Sequence, residues 1–246
     1  MPENLLETLI PLMAGWLLLA GAAMWAKRES LELSRPMLIA SFRGLVQLLA
    51  LALVLHWIFD IESRFAQLLI VIGFCVLAGH NSARYRSGSR SAWIASTTGL
   101  ICGCAVTLPW LAFTGTIDAD TRTLIPLGSM VAANGMNAIS IMFERMATSG
   151  KAGDGIRTAM IPTVDTLRVV GLVHMPGIFV GMILAGAAPL AAASAQLIVL
   201  YMIVASSLTS CIVSLLMTNH FNKAEANGAK TATEVQAGAQ DLNDET

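Results

Sequence analysis

The residues able to do chemistry in this chain gather in one stretch, residues 160–189. Asp165 and Arg168 stand three apart, so on a helix they share a face and can pair. Arg43 is the alternative partner for Asp165. His174 follows, and Pro162 and the pair Pro176-Gly177 interrupt an otherwise apolar run. Ionisable groups are costly in hydrocarbon and usually face a bundle interior or a wet pathway. Proline removes a helical hydrogen bond and glycine lets backbones approach, so a kinked or broken helix is predicted at Pro162, Pro176 and Gly177. A carboxylate, a guanidinium and an imidazole beside such a break suit the handling of a charged solute.

Other polar side chains fall at related depths in neighbouring apolar runs. At about 1.5 Å rise per residue, Arg43, Asp165 and Arg168 lie about 10–13 Å from the inner ends of their helices, and Asn137 about 9–10 Å. Gln47 and Asn134 come out near the midplane, with His174 and Gln196 in the outer half. Together these eight residues are the candidate substrate pathway, a polar seam used for transport. The structural alternative is that they only tie helices together by buried hydrogen bonds and an ion pair. Cys75, Cys102, Cys104 and Cys211 all sit in apolar runs and offer no disulfide framework. Cys102-x-Cys104 has the look of a soft-metal pair, but small apolar residues in a packed helix are the simpler reading, as packing is for the methionines. No metal ligands are assigned and no cofactor is expected.

The elements that must position these groups follow from composition. The chain of 246 residues is 55% hydrophobic and 13% charged, with mean hydropathy +0.68, against about 25% charged in an ordinary soluble domain. The fold class is all-α, a polytopic membrane helix bundle. Seven spans are predicted: residues 5–26, 37–59, 65–83, 92–114, 124–143, 160–189, and a last one ending near 217. Residues 1–218 form one transmembrane domain, and the polar segment 219–246 reads as a disordered cytoplasmic tail. Lys27, Arg28, Arg35, Arg84, Arg86, Arg90, Arg145, Lys151, Arg157, Lys223 and Lys230 fall on one side, but only Arg64 and Arg122 on the other. This bias puts the N-terminus outside and the C-terminus in the cytoplasm. The first span lacks a basic leader and reads as uncleaved.

A net charge of −1 gives no hint of a nucleic-acid partner. No Gly-x-x-x-x-Gly-Lys-[Ser/Thr] loop, His-Glu-x-x-His or Gly-x-Ser-x-Gly occurs, so ATP binding in the P-loop manner and common hydrolase readings have no support. The chain is read as a non-enzyme.

Four blocks resemble the Fet-type iron-export permeases, bacterial inner-membrane subunits related to plant aluminium-tolerance proteins. They are Arg43-Gly-Leu-Val-Gln47-Leu, Ala133-Asn134-Gly-Met136-Asn-Ala, Ile161-Pro-Thr-Val-Asp165 and Val170-Gly-Leu-Val-His-Met-Pro-Gly177. Ile183-Leu-Ala-Gly186, Pro189 and Gln196 continue the pattern. The resemblance implies a multi-pass permease subunit of an ABC-type exporter, moving iron or another metal ion with a separate ATPase subunit, as a homodimer in the lipid bilayer. The loop carrying Arg145, Lys151 and Arg157 is then the candidate cytoplasmic coupling element. Family members carry a longer segment there, with a helix expected to touch the ATPase. Residues 147–157 read instead as a short glycine-rich link. The alternative reading is therefore an ATPase-uncoupled channel or scaffold derived from that family. This chain also has Ile178 and Phe179 where the family commonly has two methionines, and Ala188 where an aspartate is expected.

The predicted orientation is checked by labelling. A membrane-impermeant thiol reagent applied from the outer face should modify Glu3→Cys and Asp118→Cys chains above the background of the native protein. Protection of both positions would reverse the topology.

Overall fold

An apolar chain in hydrocarbon must satisfy its own backbone, and helices do so within one segment. A computed structural model describes residues 5–61, 63–116 and 121–244, and almost every ordered segment among them is helical. Glu3, Asp118 and Asp120, on which part of the outer-loop assignment rests, lie outside the described residues. The chain divides into two units, 1–61 and 62–246.

The first unit is a hairpin of α1 (Leu5–Arg28) and α2 (Ser34–Phe59). A short turn joins them, with Ser30 in the left-handed region at φ +56°. Ala23 is buried, whereas Leu18 and Leu53 are 79% and 80% exposed. Large apolar side chains turned outward on both helices mark a surface suited to lipid rather than water.

The second unit begins with α3 (Arg64–Ala83), which opens where Ser63 Oγ accepts from the Ala66 amide at 3.5 Å. A 3-10 turn, Arg84–Arg86, and the left-handed pair Ser87 and Gly88 reverse the chain. Then α4 (Arg90–Phe113) starts at an N-cap, Ser89 Oγ accepting from the Ala92 amide at 3.2 Å. Next come α5 (Thr121–Ser149), α6 (Ala152–Val169), α7 (Gly177–Leu184) and α8 (Pro189–Asp244).

Two ladders of small residues at a spacing of four hold the second unit together. On α4 they are Ala95, Gly99, Gly103 and Thr107, and on α8 Ser206, Ser210, Ser214 and Thr218, all buried. A Cβ built on Gly99 would lie 2.5 Å from the Ser210 carbonyl oxygen and 3.0 Å from Ser214 Cβ. One built on Gly103 would strike Ser210 Oγ. Spacing four places each ladder on one helix face, and small side chains let the two backbones close. The register, Gly99 beside Ser210 and Ser214 and Gly103 beside Ser206 and Ser210, makes α4 and α8 antiparallel. Helix α5 fits against both, its Gly135 facing Leu100 and Ser210. Phe143, Ile139, Met142 and Leu100 are fully buried within this core.

Among the described residues, six helical stretches are long and apolar enough to cross a membrane: Ile10–Arg28, Ser34–Leu55, Arg64–Arg86, Arg90–Phe113, Thr123–Ser149 and Pro189–Ala224. The sixth predicted span, 160–189, is not one continuous helix. It is divided between α6 and α7, and the break between them carries Gly171 and Pro176 (below). The bundle is thus an all-α membrane fold of six continuous candidate spans plus one broken segment. A second departure concerns the link at 147–157. Helix runs to Ser149 and resumes at Ala152, so the connection is only Gly150-Lys151, with Gly150 at φ +67°. The third is the tail. Helix α8 continues to Asp244, through residues read as disordered. Alanine, the best helix former, is the commonest residue there.

The close contact at Gly99 predicts a sharp contrast between two glycines. Gly99→Val should destabilise the second unit by about 1–3 kcal/mol or prevent its folding. Gly73→Val, where a Cβ meets nothing within 4 Å, should be tolerated. Thermal unfolding in detergent measures both, and equal effects would contradict the packing described.

Candidate functional site

Helix α6 stands on α5 through Gly155, whose added Cβ would lie 2.6 Å from Met146 Cγ and 2.9 Å from the Met142 carbonyl. Gly155 and Ala159 are its buried residues. The opposite face, Arg157, Ile161, Asp165 and Arg168, is exposed. With α5 and α6 antiparallel, Asp165 comes level with about Asn134 at 1.5 Å per residue. Arg168 Nη1 donates to Asp165 Oδ1 at 2.9 Å, the pairing expected at a spacing of three. Their side chains are 72% and 53% exposed, so the pair is a surface feature of this chain rather than a buried one.

The helix ends at Val169. Gly171 takes φ +80°, which glycine adopts without strain, and the chain tucks under itself. The amides of Leu172, Val173 and His174 reach the Val169 carbonyl at 3.2, 3.0 and 3.2 Å. Gly171 donates to the His174 carbonyl at 3.0 Å, closing a small Val170–His174 bridge. Pro176, buried and extended at φ −69° and ψ 150°, is the N-cap of α7, which opens on Gly177.

Of the three residues expected to break the helix, Pro176 and Gly177 therefore sit at a break. Pro162 lies inside α6 without ending it. Its exposed ring stands off the bundle, and the Pro162 carbonyl still accepts from Thr166 Oγ1 at 2.8 Å. A Cβ on Gly177 meets nothing within 4 Å, so this glycine is not a point of close approach. Gly171 is the break residue that the motif reading passed over. Its signal was present, a glycine five residues before a proline.

The remaining candidates are scattered. Asn134 is half-buried and its amide donates to the Met130 carbonyl of its own helix at 2.9 Å. Asn137 is exposed on α5, and His174 is exposed in the turn. Gln196 is buried near the start of α8, and its Oε1 has no hydrogen-bond partner among the described residues. Arg43 and Gln47 are exposed on α2, in the first unit. The structure thus joins Asp165 with Arg168 and sets Asn134 at their level.

The basic residues of the second unit collect at one end. Arg86 Nη2 donates to Asn222 Oδ1 at 3.1 Å, and its guanidinium lies 5.6 Å from the Phe143 ring centroid. Arg84, Arg90, Arg145, Lys151 and Lys223 are exposed in the same region, where α3 and α5 end, α4 and α6 begin and α8 passes. Arg145 and Arg157 lie on helices rather than in a loop, and Lys151 is the N-cap of α6, with no side-chain cap bond.

The buried hydroxyls were also missed. Thr107 Oγ1 donates to the Gly103 carbonyl at 2.7 Å and Ser206 Oγ to the Ile203 carbonyl at 3.1 Å. Ser96, Ser207, Ser210, Ser214 and Thr218 have hydroxyls without a hydrogen-bond partner among the described residues. The repeat Ser206, Ser210, Ser214, Thr218 was readable as a spacing of four.

Comparison with known proteins places this architecture. The chain is 29% identical over 225 residues to the "Probable iron export permease protein FetB" of Escherichia coli K12, covering 82% of this chain and 87% of that protein. It is 25% identical to "Protein ALUMINUM SENSITIVE 3" of Arabidopsis thaliana, covering 82% and 84%, and 27% identical to the membrane protein YjkA of Bacillus subtilis, covering 80% and 88%. No solved structure matches. A family model matches in two pieces, residues 9–154 and 147–221, which meet at the turn between α5 and α6. This multi-pass membrane chain belongs to the uncharacterised protein family UPF0014.

Proposed function

We propose that the chain is the membrane subunit of an exporter for iron or another metal cation, worked by a separate ATPase subunit, with two copies forming the transporting unit. The observation that carries this reading is the exposed Asp165–Arg168 pair on α6, beside a broken segment and level with the middle of the bundle. An ion pair at that depth is costly against lipid tails. Water in a pathway or a second copy of the chain satisfies it. The α4–α8 seam is no route: a seam that rejects a methyl group at Gly99 and Gly103 rejects a hydrated cation. The open face of α6, which carries the ion pair, is the proposed wall of the pathway. The relative described as an iron export permease supports the cargo class. The basic end of the second unit offers the surface for an ATPase, and any ATP hydrolysis belongs to that partner.

The second reading, an uncoupled channel or scaffold, draws on one observation. The two-residue turn Gly150-Lys151 leaves no room for a separate coupling helix between α5 and α6. Co-purification of an ATPase subunit, and stimulation of its activity by this chain in vesicles, separate the two. Absence of both favours the scaffold.

Transport and stability should part company at Asp165. A largely exposed pair at a spacing of three contributes less than about 1 kcal/mol, well below the 3–5 kcal/mol lost on breaking a buried one. Asp165→Asn should therefore leave thermal unfolding nearly unchanged while lowering metal efflux from cells at least tenfold. Full metal resistance from a normally inserted variant would remove the pathway from this face. The break gives a companion test. Gly171→Ala combined with Pro176→Ala, which favours continuous helix, should impair efflux more than yield.

A further inference from the structure

Cys75 on α3 and Cys104 on α4 are both buried, and their sulfurs lie 3.6 Å apart. Neither forms a disulfide. The pairing crosses two helices and leaves Cys102 aside, so it is not the Cys102-x-Cys104 spacing seen in the sequence. Both thiols line a cavity of about 560 Å³ between α3, α4 and the start of α5. Leu108 and Leu124 form part of its apolar wall, and Gln67 and Arg64 line it towards the first turn of α3. Cys75 lies eleven residues beyond Arg64, about 16 Å along the helix.

The separation is informative. Two thiolates on one tetrahedral ion, with metal–sulfur bonds of about 2.3 Å, place their sulfurs about 3.8 Å apart. The pair is within a few tenths of an ångström of that spacing, and the cavity supplies space beside both sulfurs. Charge favours the same class of ion. A divalent cation bound by two thiolates is neutral as a unit, which an apolar wall accepts far better than a net charge. Soft sulfur ligands select thiophilic cations over magnesium, calcium or manganese.

We propose that Cys75 and Cys104 form a two-thiolate site for a single thiophilic divalent cation of the zinc and cadmium class, reached through this cavity. Binding converts two thiols into two metal–sulfur bonds and releases two protons to solvent, with no change of oxidation state. No cluster of three or more His, Cys, Asp or Glu exists among the described residues. The other coordination positions therefore belong to small ligands such as water or chloride, and the ion is exchangeable rather than structural. The site is independent of the transport reading, because it is read as binding at equilibrium.

The test titrates the full-length, reduced protein in detergent, without oxygen, with Cd²⁺. Equilibrium dialysis should give one ion per chain, with thiolate-to-cadmium charge-transfer absorption. The dissociation constant should fall about a hundredfold per pH unit while both thiols are protonated, the slope of two released protons. Cys75→Ala and Cys104→Ala should each abolish the signal, and Cys102→Ala should keep it. On the native chain, Cd²⁺ should protect Cys75 and Cys104, and not Cys102, from a small neutral thiol reagent. The proposal is overturned by absorption that survives the double variant, by protection at other cysteines, or by failure of the reagent to reach either thiol without Cd²⁺.

Discussion

Everything in the second unit depends on how closely α4 and α8 approach. Within a bilayer the lipid tails are as apolar as leucine, so helices gain little by leaving them. Association rests on van der Waals packing and interhelical hydrogen bonds. Gly99 and Gly103 remove the side chains that would hold α4 away from α8, and the serine ladder replaces bulk with hydroxyls. The same device recurs around the core. A Cβ on Gly128 would lie 2.7 Å from Val71 Cγ2, fixing α5 on α3, and Gly155 fixes α6 on α5. Helix α7 has no such contact. A Cβ on Gly177 or Gly181 meets nothing within 4 Å, and none of its residues is buried. A tight group of five helices therefore carries one short, loosely packed helix.

That arrangement explains why the broken segment exists. Gly128 beside Val71 and Asn81 Nδ2 at 3.3 Å from Met136 Sδ make α3 and α5 parallel, and the ladders make α8 antiparallel to α4. Helices α5 and α8 therefore run the same way, and residues 150–188 must carry the chain back. Helix α6, of 18 residues, rises about 27 Å, and α7, of eight, adds about 12 Å. The return is made, but with Asp154, Arg157, Asp165 and Arg168 on α6 it is not a continuous apolar helix. The turn between the pieces meets its own backbone needs, since the Val169 carbonyl takes three amides. A backbone break at that depth is tolerable only when its polar groups are satisfied in this way or by water.

Much of this was legible in the sequence, and the limits have physical causes. Hydropathy located the helices because apolar length is a local property. The family blocks located the segment of interest because they are contiguous. The break at Pro176 was visible since proline constrains its own backbone. Gly171, five residues before that proline, carried a weaker signal, because its positive φ follows from the turn around it. Asp165 and Arg168 were correctly paired from their spacing. Their exposure was not foreseen, because depth along a helix says nothing about which face meets a neighbour. The Cys75–Cys104 approach joins residues 29 apart on different helices, a distance that no local pattern encodes. The serine ladder, in contrast, has a spacing of four throughout, a pattern that the sequence carries locally.

The two polar features of the second unit differ in what they can do. The hydroxyls of α8 are enclosed by backbones too close to admit a methyl group, so their contribution is to the geometry of packing. The carboxylate and guanidinium of α6 stand on an open face, where an ion or a second chain can reach them. A transporter must keep its scaffold in one arrangement while part of its wall changes partners. Small residues at spacing four supply the first requirement, and on the proposed reading a helix resting on its neighbour along one narrow stripe, then interrupted by Gly171 and Pro176, supplies the second. The division of labour follows from where glycine removes bulk between helices and where it turns the chain between them.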